Sequence, residues 1–287
     1  MRKTVNILGI NVDTFTTLEV LDYITDLANS GDSYYIVTPN PEFAMQSLKN
    51  ENFREAINQA HLSLPDGVGI LWASKYFSLP LTNWQPIKTL QAYWQLVSTG
   101  LNIIFNPKLL TSIIPERVTG ADMVWELSKL AAKRNWKIFL LGAAPGVATT
   151  TAERLKLLYP NLEIAGAVSG PPYDDETTVI EKIKDTQPKF VFLAFPAPEQ
   201  LRWMQTYTPQ LKGTIMMGIG GALDFIASGV ALNAPASNKK PARRAPDWLQ
   251  ERGLEWLWRY LTQPWRRERI YAATVGFIRE VLKYKLK

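Results

Sequence analysis

Two polar clusters stand where two predicted strands end, and their side chains could carry out acid–base chemistry. The first cluster, in YYIVTPNPEF, places Thr38 and Asn40 directly after the β-rich run of residues 34–37. The second, in LSLPDGVGI, places Asp66 after a short buried run and before Gly67. A carboxylate there could remove a proton from a hydroxyl group, and the glycine would let the backbone come close to a ligand. Spacing alone favours a plain turn, because Asp and Gly are common turn residues.

The elements around these clusters alternate between helix and strand patterns. Helices are predicted over residues 16–29, 41–60 with a break near Asn50, 67–76, 119–135, 147–159 and 177–186, and strands over 34–37, 62–64, 137–141, 162–167, 190–194 and 214–217. This alternation predicts an α/β fold of the Rossmann-like type, with a mostly parallel sheet covered by helices on both faces. Ligands of such sheets bind at the carboxyl ends of the strands, where Thr38, Asn40 and Asp66 fall.

Two glycine-containing turns after predicted strands could receive a nucleotide. In FLLGAAPGVA, Gly142 and Gly146 could let phosphate or ribose approach backbone N–H groups at the start of a helix. In GIGGALDF, Asp224 could accept hydrogen bonds from ribose hydroxyls. The first turn lacks a full G-x-G-x-x-G pattern, so a plain strand-to-helix turn at Gly142 and a helix-capping role for Asp224 stay open.

Composition excludes several kinds of catalytic centre. The 287 residues contain no Cys, which excludes disulfides, thiolate metal sites and cysteine nucleophiles. The single histidine, His61, cannot build a multi-histidine zinc site and is predicted to be structural. No acidic D-x-D pair follows a predicted strand, so no metal ligands are predicted. Asn6 and Asn11 interrupt the apolar run at the start of the chain, which predicts a strand instead of a signal peptide and a cytoplasmic protein.

Positive charge is concentrated in the last part of the chain. Residues 239–287 carry 13 Lys or Arg and 5 Asp or Glu, a net charge of +8, whereas the 238 residues before them sum to −2. Four tryptophans accompany these cations, at Trp248, Trp256, Trp258 and Trp265. Aromatic and basic side chains on helical segments suit an anionic membrane surface, and an ordinary docking helix with a solvated basic face is the alternative.

Three parts of the chain are therefore predicted. Residues 1–233 would form the α/β body, 234–243 a basic linker, and 244–287 a helical, basic C-terminal appendage. Within the body, residues 78–115 break the alternation with a segment rich in Pro, Trp, Leu and Ile. No run of 18 uncharged apolar residues occurs there, so it is not predicted to span a membrane. It would cover the sheet or lie on a membrane, and a structural cover is slightly favoured.

A series of spaced motifs extends along most of the chain: TPNPEF and FREAINQAHLSLPDGVGI around the polar clusters, PERVTGADM at 115–123, FLLGAAPGVA at 139–148, IGGALDF at 219–225 and RAPDWLQERGLEWLWRYLTQPWRRER at 244–269. Together they resemble the bacterial WecG/TagA/CpsF family of glycosyltransferases. The resemblance implies transfer of an N-acetylhexosamine, typically N-acetylmannosamine, from a UDP-sugar to a polyprenyl-diphosphate-linked sugar at the cytoplasmic membrane face, with inversion. No cofactor and no nucleic-acid partner are predicted, and a homo-oligomer stays open.

In that reaction Asp66 would take the proton of the acceptor hydroxyl, and Thr38 and Asn40 would position sugar groups. One motif departs from the family. Members carry a pattern close to G-x-P-K-Q-E, whereas this chain has FPAPEQLRW, which keeps Pro198 and Gln200 but contains the replacements Pro196, Glu199 and Leu201. Gln200 remains a candidate for binding substrate. Glu199 in place of a cation changes the local charge by two units, so donor preference or activity could differ.

Arginines are predicted to replace a metal ion at the leaving diphosphate, because a guanidinium group is always charged and matches phosphate oxygens. The resemblance implies that the appendage supplies them, and the spacing fits Arg259, Arg266 and Arg269. Arg117 in PERVTG is a weaker candidate for the same pocket. The alternative for each is a surface salt bridge, which stabilises little.

Three other functions stay open from sequence. A related transferase could use another UDP-hexose in exopolysaccharide synthesis. An NAD-binding oxidoreductase would share the Rossmann-like fold, but its full glycine fingerprint is missing. A non-catalytic, membrane-bound sugar sensor would explain Glu199 and Leu201.

Overall fold

Six parallel strands form the central sheet of the described chain. The computed structural model describes residues 2–170, 175–228, 245–246, 249, 255–262, 264 and 267–287. The strands are β1 (Thr4–Ile7), β2 (Ile10–Asp13), β3 (Tyr34–Val37), β4 (Leu62–Ser63), β5 (Lys137–Gly142), β6 (Glu163–Val168), β7 (Phe190–Ala194) and β8 (Ile215–Gly218). β1 and β2 pair as an antiparallel hairpin, and the others form one parallel sheet in the order β4, β3, β8, β7, β5, β6.

Helices follow the strands nearly throughout. They are α1 (Thr17–Ser30), α2 (Pro41–Ser47), α3 (Glu51–Asn58), α4 (Val68–Ser78), α5 (Ile87–Phe105), α6 (Gly120–Arg134), α7 (Val147–Leu158), α8 (Glu176–Thr186), α9 (Ala197–Tyr207), α10 (Ala222–Ala227), α11 (Glu255–Thr262), α12 (Arg267–Tyr271) and α13 (Phe277–Leu286). A π-helical turn, Ala272–Gly276, joins the last two. The predicted break near Asn50 is real, because its side chain accepts a hydrogen bond from the N–H of Phe53 and starts α3.

Side chains of each strand alternate between the two faces of the sheet, and helices cover both faces. Val37 and Leu141 pack on one face with α2, α3, α4 and α9. Their neighbours Ile36 and Leu140 pack on the other face with α1, α6, α7 and α10. Every residue of β7 and β8 is buried, which is why these strands read as continuous apolar runs. The predicted Rossmann-like α/β fold is confirmed.

His61 lies at the amino-terminal edge of the sheet, just before β4. Its backbone N–H donates to the carbonyl of Tyr35 at 3.0 Å, and its ring meets the ring of Tyr34 edge-on at 4.7 Å between centroids. Burial lowers the pKa of His61 below its ordinary value, and nearby Arg2 lowers it further. A neutral, packed imidazole at this end of the sheet fits the predicted structural role.

Residues 78–115 add an outer layer to the body. α5 packs against α4 and the C-terminal helix α13, and both contacts include hydrogen bonds. Trp72 of α4 donates through Nε1 to Thr99 Oγ1 at 3.0 Å, and the hydroxyl of Tyr76 donates to the carbonyl of Ala92 at 3.0 Å. α5 therefore covers α4, which in turn lies on the sheet.

The described part of the C-terminal appendage is helical, and α13 is fixed to the body by buried side chains. Phe277 is 1% exposed and packs edge-on against Trp72, with ring centroids 6.3 Å apart. Val281, one turn later, is also fully buried. The π-helical turn brings Gly276 beside Met45 of α2, where a β-carbon on the glycine would lie 3.5 Å from Met45 Cε. The π-helical turn and α13 thus pack on α2 and α4, the helices that follow β3 and β4.

Lys285 holds the end of α13 against the body. Its ammonium donates to the carbonyls of Tyr76 and Leu79 and to Gln95 Oε1, the last at 2.7 Å. Burial lowers the pKa of Lys285 to about 8, because the charged form loses hydration. The same amine therefore joins α4, α5 and α13.

We expect Phe277→Ala to weaken the docking of α13 by about 3 kcal/mol, because a buried aromatic ring is replaced by a cavity. Hydrogen exchange of residues 277–286 measures this directly, and their protection should fall roughly a hundredfold. The matched control is Ile278→Ala, which truncates a side chain that is 39% exposed on the same helix and should change protection little. Equal losses in the two variants would contradict the assignment of Phe277 as the anchor.

Candidate active site at the carboxyl edge of the sheet

Three of the predicted site residues meet where β3 and β4 end. Thr38 is buried, and its hydroxyl donates to the carbonyl of Gly218 at the end of β8, 3.0 Å away. The backbone N–H of Asp66 donates to the carbonyl of Pro39 at 3.0 Å. Thr38, Asn40 and Asp66 therefore occupy adjoining turns at one edge, as their positions after two strands predict.

Asn40 begins α2. Its Oδ1 accepts a hydrogen bond from the N–H of Phe43 at 3.1 Å, and Pro41 takes the first helical position. This cap fixes the orientation of the side chain and occupies its carbonyl oxygen. The amide nitrogen takes no part in the cap, so Asn40 can serve a ligand as a hydrogen-bond donor.

Asp66 stands in a turn that other motifs hold in place. Gly67 has φ of +103°, a conformation that favours glycine, and it precedes the first residue of α4. The carbonyl of Pro65 accepts the N–H of Val118 at 3.0 Å, which ties the PERVTG motif to this turn and brings the backbone at Arg117 beside it. The structure therefore shows a turn at Asp66 and Gly67, and the reactive role of the Asp66 carboxylate stays a prediction.

Gln200 shapes the turn after β8. It is buried in the first turn of α9, and its Oε1 accepts the N–H of Gly220 at 3.3 Å. A β-carbon on Gly218 would lie 2.1 Å from Gln200 Nε2, so the glycine makes room for the amide. The described hydrogen bond of Gln200 is therefore to this turn, and its role in binding substrate stays a prediction. Asp224 lies just beyond, in the first turn of α10.

The two glycines of FLLGAAPGVA differ in their surroundings. A β-carbon on Gly142 would lie 2.7 Å from the carbonyl oxygen of Ala194, so close packing between β5 and β7 requires this glycine. Gly146 begins α7 with φ of +83°, and no heavy atom of the described residues lies within 4 Å of its missing β-carbon. A ligand could therefore approach backbone N–H groups at Gly146, whereas Gly142 has a structural reason to be glycine.

Of the three appendage arginines predicted to bind the diphosphate, Arg269 is the one whose side chain the structure describes. Its Nε and Nη2 donate to Glu42 Oε1 at 2.9 and 2.6 Å, which places the guanidinium beside α2, two residues beyond Asn40. Arg266 lies outside the described residues, and only the backbone of Arg259 is described, in α11. The structure therefore brings one of the three predicted arginines to the same edge.

Glu42 was missed by sequence reasoning. It lies inside TPNPEF, in the first turn of α2, where a carboxylate also interacts favourably with the helix amino terminus. Its place in the TPNPEF motif could have marked Glu42 as a site residue. Its pairing with Arg269, 227 positions away, could not be predicted from local sequence. Glu42 therefore joins the candidate site as the partner of Arg269.

Glu199 carries a buried oxygen at the same edge. It lies in the first turn of α9, directly after β7, and its Oε2 is buried without a hydrogen-bond partner among the described residues. A buried carboxylate oxygen without a donor costs free energy, so a ligand hydroxyl or amide at this point would be stabilised. The replacement of the family lysine thus places an acceptor where a donor is usual.

The described ranges contain neither a metal-binding cluster nor a membrane-spanning helix. In that part of the chain, no group of three or more His, Asp or Glu side chains is arranged to hold a metal ion. None of the helices built from those residues is long and apolar enough to cross a membrane.

Comparison with known proteins gives a consistent result. The profile of the glycosyl transferase WecG/TagA/CpsF family matches residues 5–106 and 87–287. The chain is 28% identical, over 285 residues, to proteins of Staphylococcus aureus strains NCTC 8325 / PS 47, COL and MRSA252. The matches cover 99% of this chain and 94% of each relative. All three relatives are named N-acetylglucosaminyldiphosphoundecaprenol N-acetyl-beta-D-mannosaminyltransferase. Because the family profile matches nearly all of this sequence, the chain belongs to the WecG/TagA/CpsF family and is a glycosyltransferase.

Proposed function

We propose that this glycosyltransferase moves an N-acetylhexosamine, N-acetylmannosamine in the first instance, from a UDP-sugar to GlcNAc linked to a polyprenyl diphosphate. The observation that carries it is the meeting of Asp66, Thr38 and Asn40 at one sheet edge in a chain that resembles such transferases over 99% of its length. The product would serve synthesis of a cell-surface polysaccharide or teichoic acid. The reaction would take place at the inner face of the cell membrane.

In this mechanism the acceptor hydroxyl oxygen attacks the anomeric carbon, and its proton passes to the Asp66 carboxylate. The bond from the anomeric carbon to the diphosphate oxygen breaks, and UDP leaves with the bonding electron pair. Attack from the side opposite the leaving group inverts the configuration at that carbon. Asn40 would donate to the sugar through its amide nitrogen, and Thr38 would shape the pocket from its bond to Gly218.

The nucleotide would lie along the turns after β5 and β8. Gly146 leaves the start of α7 open to phosphate or ribose, and Asp224 could accept ribose hydroxyls at the start of α10. Gly142 and Gln200 would line the same turns, where the amide nitrogen of Gln200 could donate to the substrate while its oxygen binds the N–H of Gly220.

Arginines of the appendage would neutralise the departing diphosphate, so no metal ion would be needed. Arg269 already lies at the edge, paired with Glu42, and a diphosphate could share or replace that carboxylate. Arg259 and Arg266 precede it on the same appendage, and Arg117 approaches from the turn that holds Asp66. The appendage, residues 244–287, would then complete the active site while its cations and tryptophans contact the anionic membrane.

A related transferase that uses another UDP-hexose in exopolysaccharide synthesis is the second candidate. Glu199 favours it, because its partnerless buried oxygen offers a different hydrogen-bond pattern to the donor sugar than the family lysine would. A panel of UDP-sugars, incubated with a polyprenyl-diphosphate-GlcNAc analogue, separates the two candidates by the donor that yields UDP and a heavier lipid product.

We expect Asp66→Asn to lower turnover by about 10²-fold or more, because a positioned general base contributes that much. The folded structure and the affinity for UDP should be retained, since Asn is isosteric with Asp. Asp185→Asn is the matched control, because it removes an exposed carboxylate of α8 and should leave turnover unchanged. Near-normal turnover in a folded Asp66→Asn enzyme would remove this residue from the mechanism.

Transfer should continue in EDTA at the rate measured without it. The reason is that arginines, not a divalent cation, would balance the charge of the diphosphate. The measurement is UDP release by metal-stripped enzyme with and without added Mg²⁺ or Mn²⁺. Activity lost in EDTA and restored by either ion would contradict the arginine assignment.

Arg266→Ala should lower turnover by roughly 10² to 10³-fold, the scale for removal of one preorganised donor to developing charge. Vesicle binding should change little, because one cation among many contributes about 1 kcal/mol at an anionic surface. Arg279→Ala is the control, since it removes an exposed cation of the same tail that is paired with Glu280. If Arg266→Ala lost lipid affinity in proportion to activity, the arginine would act as an anchor and not at the diphosphate.

A further inference from the structure

α5 exposes a large apolar surface on the side turned away from the body. Leu90 is 72% exposed and Trp94 71% exposed. The exposed apolar side chains of this helix are Ile87, Leu90, Tyr93, Trp94, Val97, Leu101, Ile104 and Phe105. Isolated exposed apolar residues are ordinary, but a continuous set of this size marks an interaction surface. We call these eight residues the outer face of α5.

The outer face is one stripe along the whole helix. At about 100° of rotation per residue, its eight side chains fall within an arc of about 120°, roughly a third of the circumference. The stripe is extended at both ends by exposed apolar residues outside the helix, Trp84 before it and Leu109 and Ile113 after it. Described parts of the body leave this stripe uncovered.

The opposite side of α5 is fixed. Thr99 and Ala92 are buried against α4, and Leu96 and Ile103 pack on the core of the body. At the start of the helix, Lys88 donates through Nζ to the carbonyl of Leu286 in α13, at 3.0 Å. A helix held in this way presents its outer face in a defined orientation. α5 is therefore apolar on both sides, and only one side has a partner in the described chain.

The charges around the outer face fit an anionic partner. Residues 78–115 contain two lysines, Lys88 and Lys108, near the two ends of α5, and no Asp or Glu. The helix α13, which packs on α5, carries Arg279, Lys283 and Lys285 and one acidic residue, Glu280. Arg279 and Lys283 of α13 are exposed. Cations that flank an apolar stripe, with aromatic side chains in it, are the pattern of a helix that lies in a membrane interface.

A second copy of the chain is a poorer match to this face. A coiled-coil pair uses a narrow apolar seam and charged residues beside it to choose its partner. Tyr93 and Phe105 widen the stripe beyond such a seam, and the positions that would carry those charges include Gln91, Ser98 and Gly100. The sequence therefore specifies neither ion pairs nor close packing between α5 and the α5 of a second copy.

We propose that the outer face of α5 inserts in the plane of an anionic membrane, into the boundary between headgroups and acyl chains, as a docking surface additional to the tail. This role rests on the proposed function, because a lipid-linked acceptor would have to reach the site from the bilayer. α4 begins at the Asp66 turn and packs on α5, so one helix layer separates the inserted helix from that turn.

Because the chain contains no cysteine, a single introduced cysteine can carry a fluorescent probe at a chosen position. We would attach an environment-sensitive fluorophore to Leu90→Cys and Val97→Cys on the outer face, and to Leu157→Cys as control. Leu157 is 81% exposed on α7, which packs on the other face of the sheet. On vesicles of phosphatidylglycerol and phosphatidylcholine, emission at positions 90 and 97 should shift to the blue and be quenched by nitroxide-labelled lipids. Emission at position 157 should stay as it is in water.

A paired substitution supplies a second readout. Leu90→Glu with Val97→Glu should lower the vesicle partition coefficient at least about tenfold, because burial of each side chain is lost and charge is added. Leu18→Glu with Leu157→Glu, at exposed sites on α1 and α7, should change it much less. Transfer to a short-chain, water-soluble acceptor should be equal in both variants and the parent. The fluorescence and partition results do not depend on turnover, whereas transfer to the soluble acceptor does not depend on membrane docking. Failure of docking and failure of the proposed activity can therefore be told apart.

Two outcomes would overturn the assignment. Water-like emission at positions 90 and 97 on vesicles that do bind the protein would show that another surface makes the contact. A blue shift without vesicles, together with a doubled mass in light scattering, would show that a second copy covers the face.

Discussion

The pairing of β3 with β8 is the contact on which the site depends. Tyr34 lies opposite Ile215 and Ile36 opposite Met217, in parallel register, although the two strands are about 180 residues apart in the chain. At the end of the pair, the Thr38 hydroxyl binds the carbonyl of Gly218 and fixes the two strand ends together. Because parallel strands place all their carboxyl ends at one edge, this pairing brings the first and last thirds of the body to the same edge of the sheet.

The C-terminal helices build on that edge. Phe277 fills the space between α2 and α4, the two helices that start at the polar clusters, and Arg269 meets Glu42 on the first of them. We expect the buried side chains of α13 to contribute more to docking than the exposed ion pair of Arg269 with Glu42. Packing therefore decides where the tail cations lie. The helix α13 also contacts α5 through the hydrogen bonds of Lys88 with Leu286 and of Lys285 with Gln95.

Two predicted site residues have tertiary contacts that their local pattern does not indicate. The missing side chain of Gly142 makes room for the carbonyl of Ala194. The amide oxygen of Gln200 accepts the N–H of Gly220. In both, the deciding neighbour lies on another strand or loop. The segment 78–115 shows the reverse case. Its composition left cover and membrane contact open, and the structure shows a helix that covers α4 on one side and exposes apolar residues on the other.

Sequence by itself determined the fold class, the positions of most elements and the cluster of Thr38, Asn40 and Asp66. These follow from periodicity and turn chemistry, which are set by residues close together in the chain. Tertiary structure alone decided the strand order, the pairing of Arg269 with Glu42 and which glycines face open space. These features depend on contacts between segments that are tens to hundreds of residues apart. The burial of apolar surface that favours such contacts involves both segments at once, so neither segment alone predicts it.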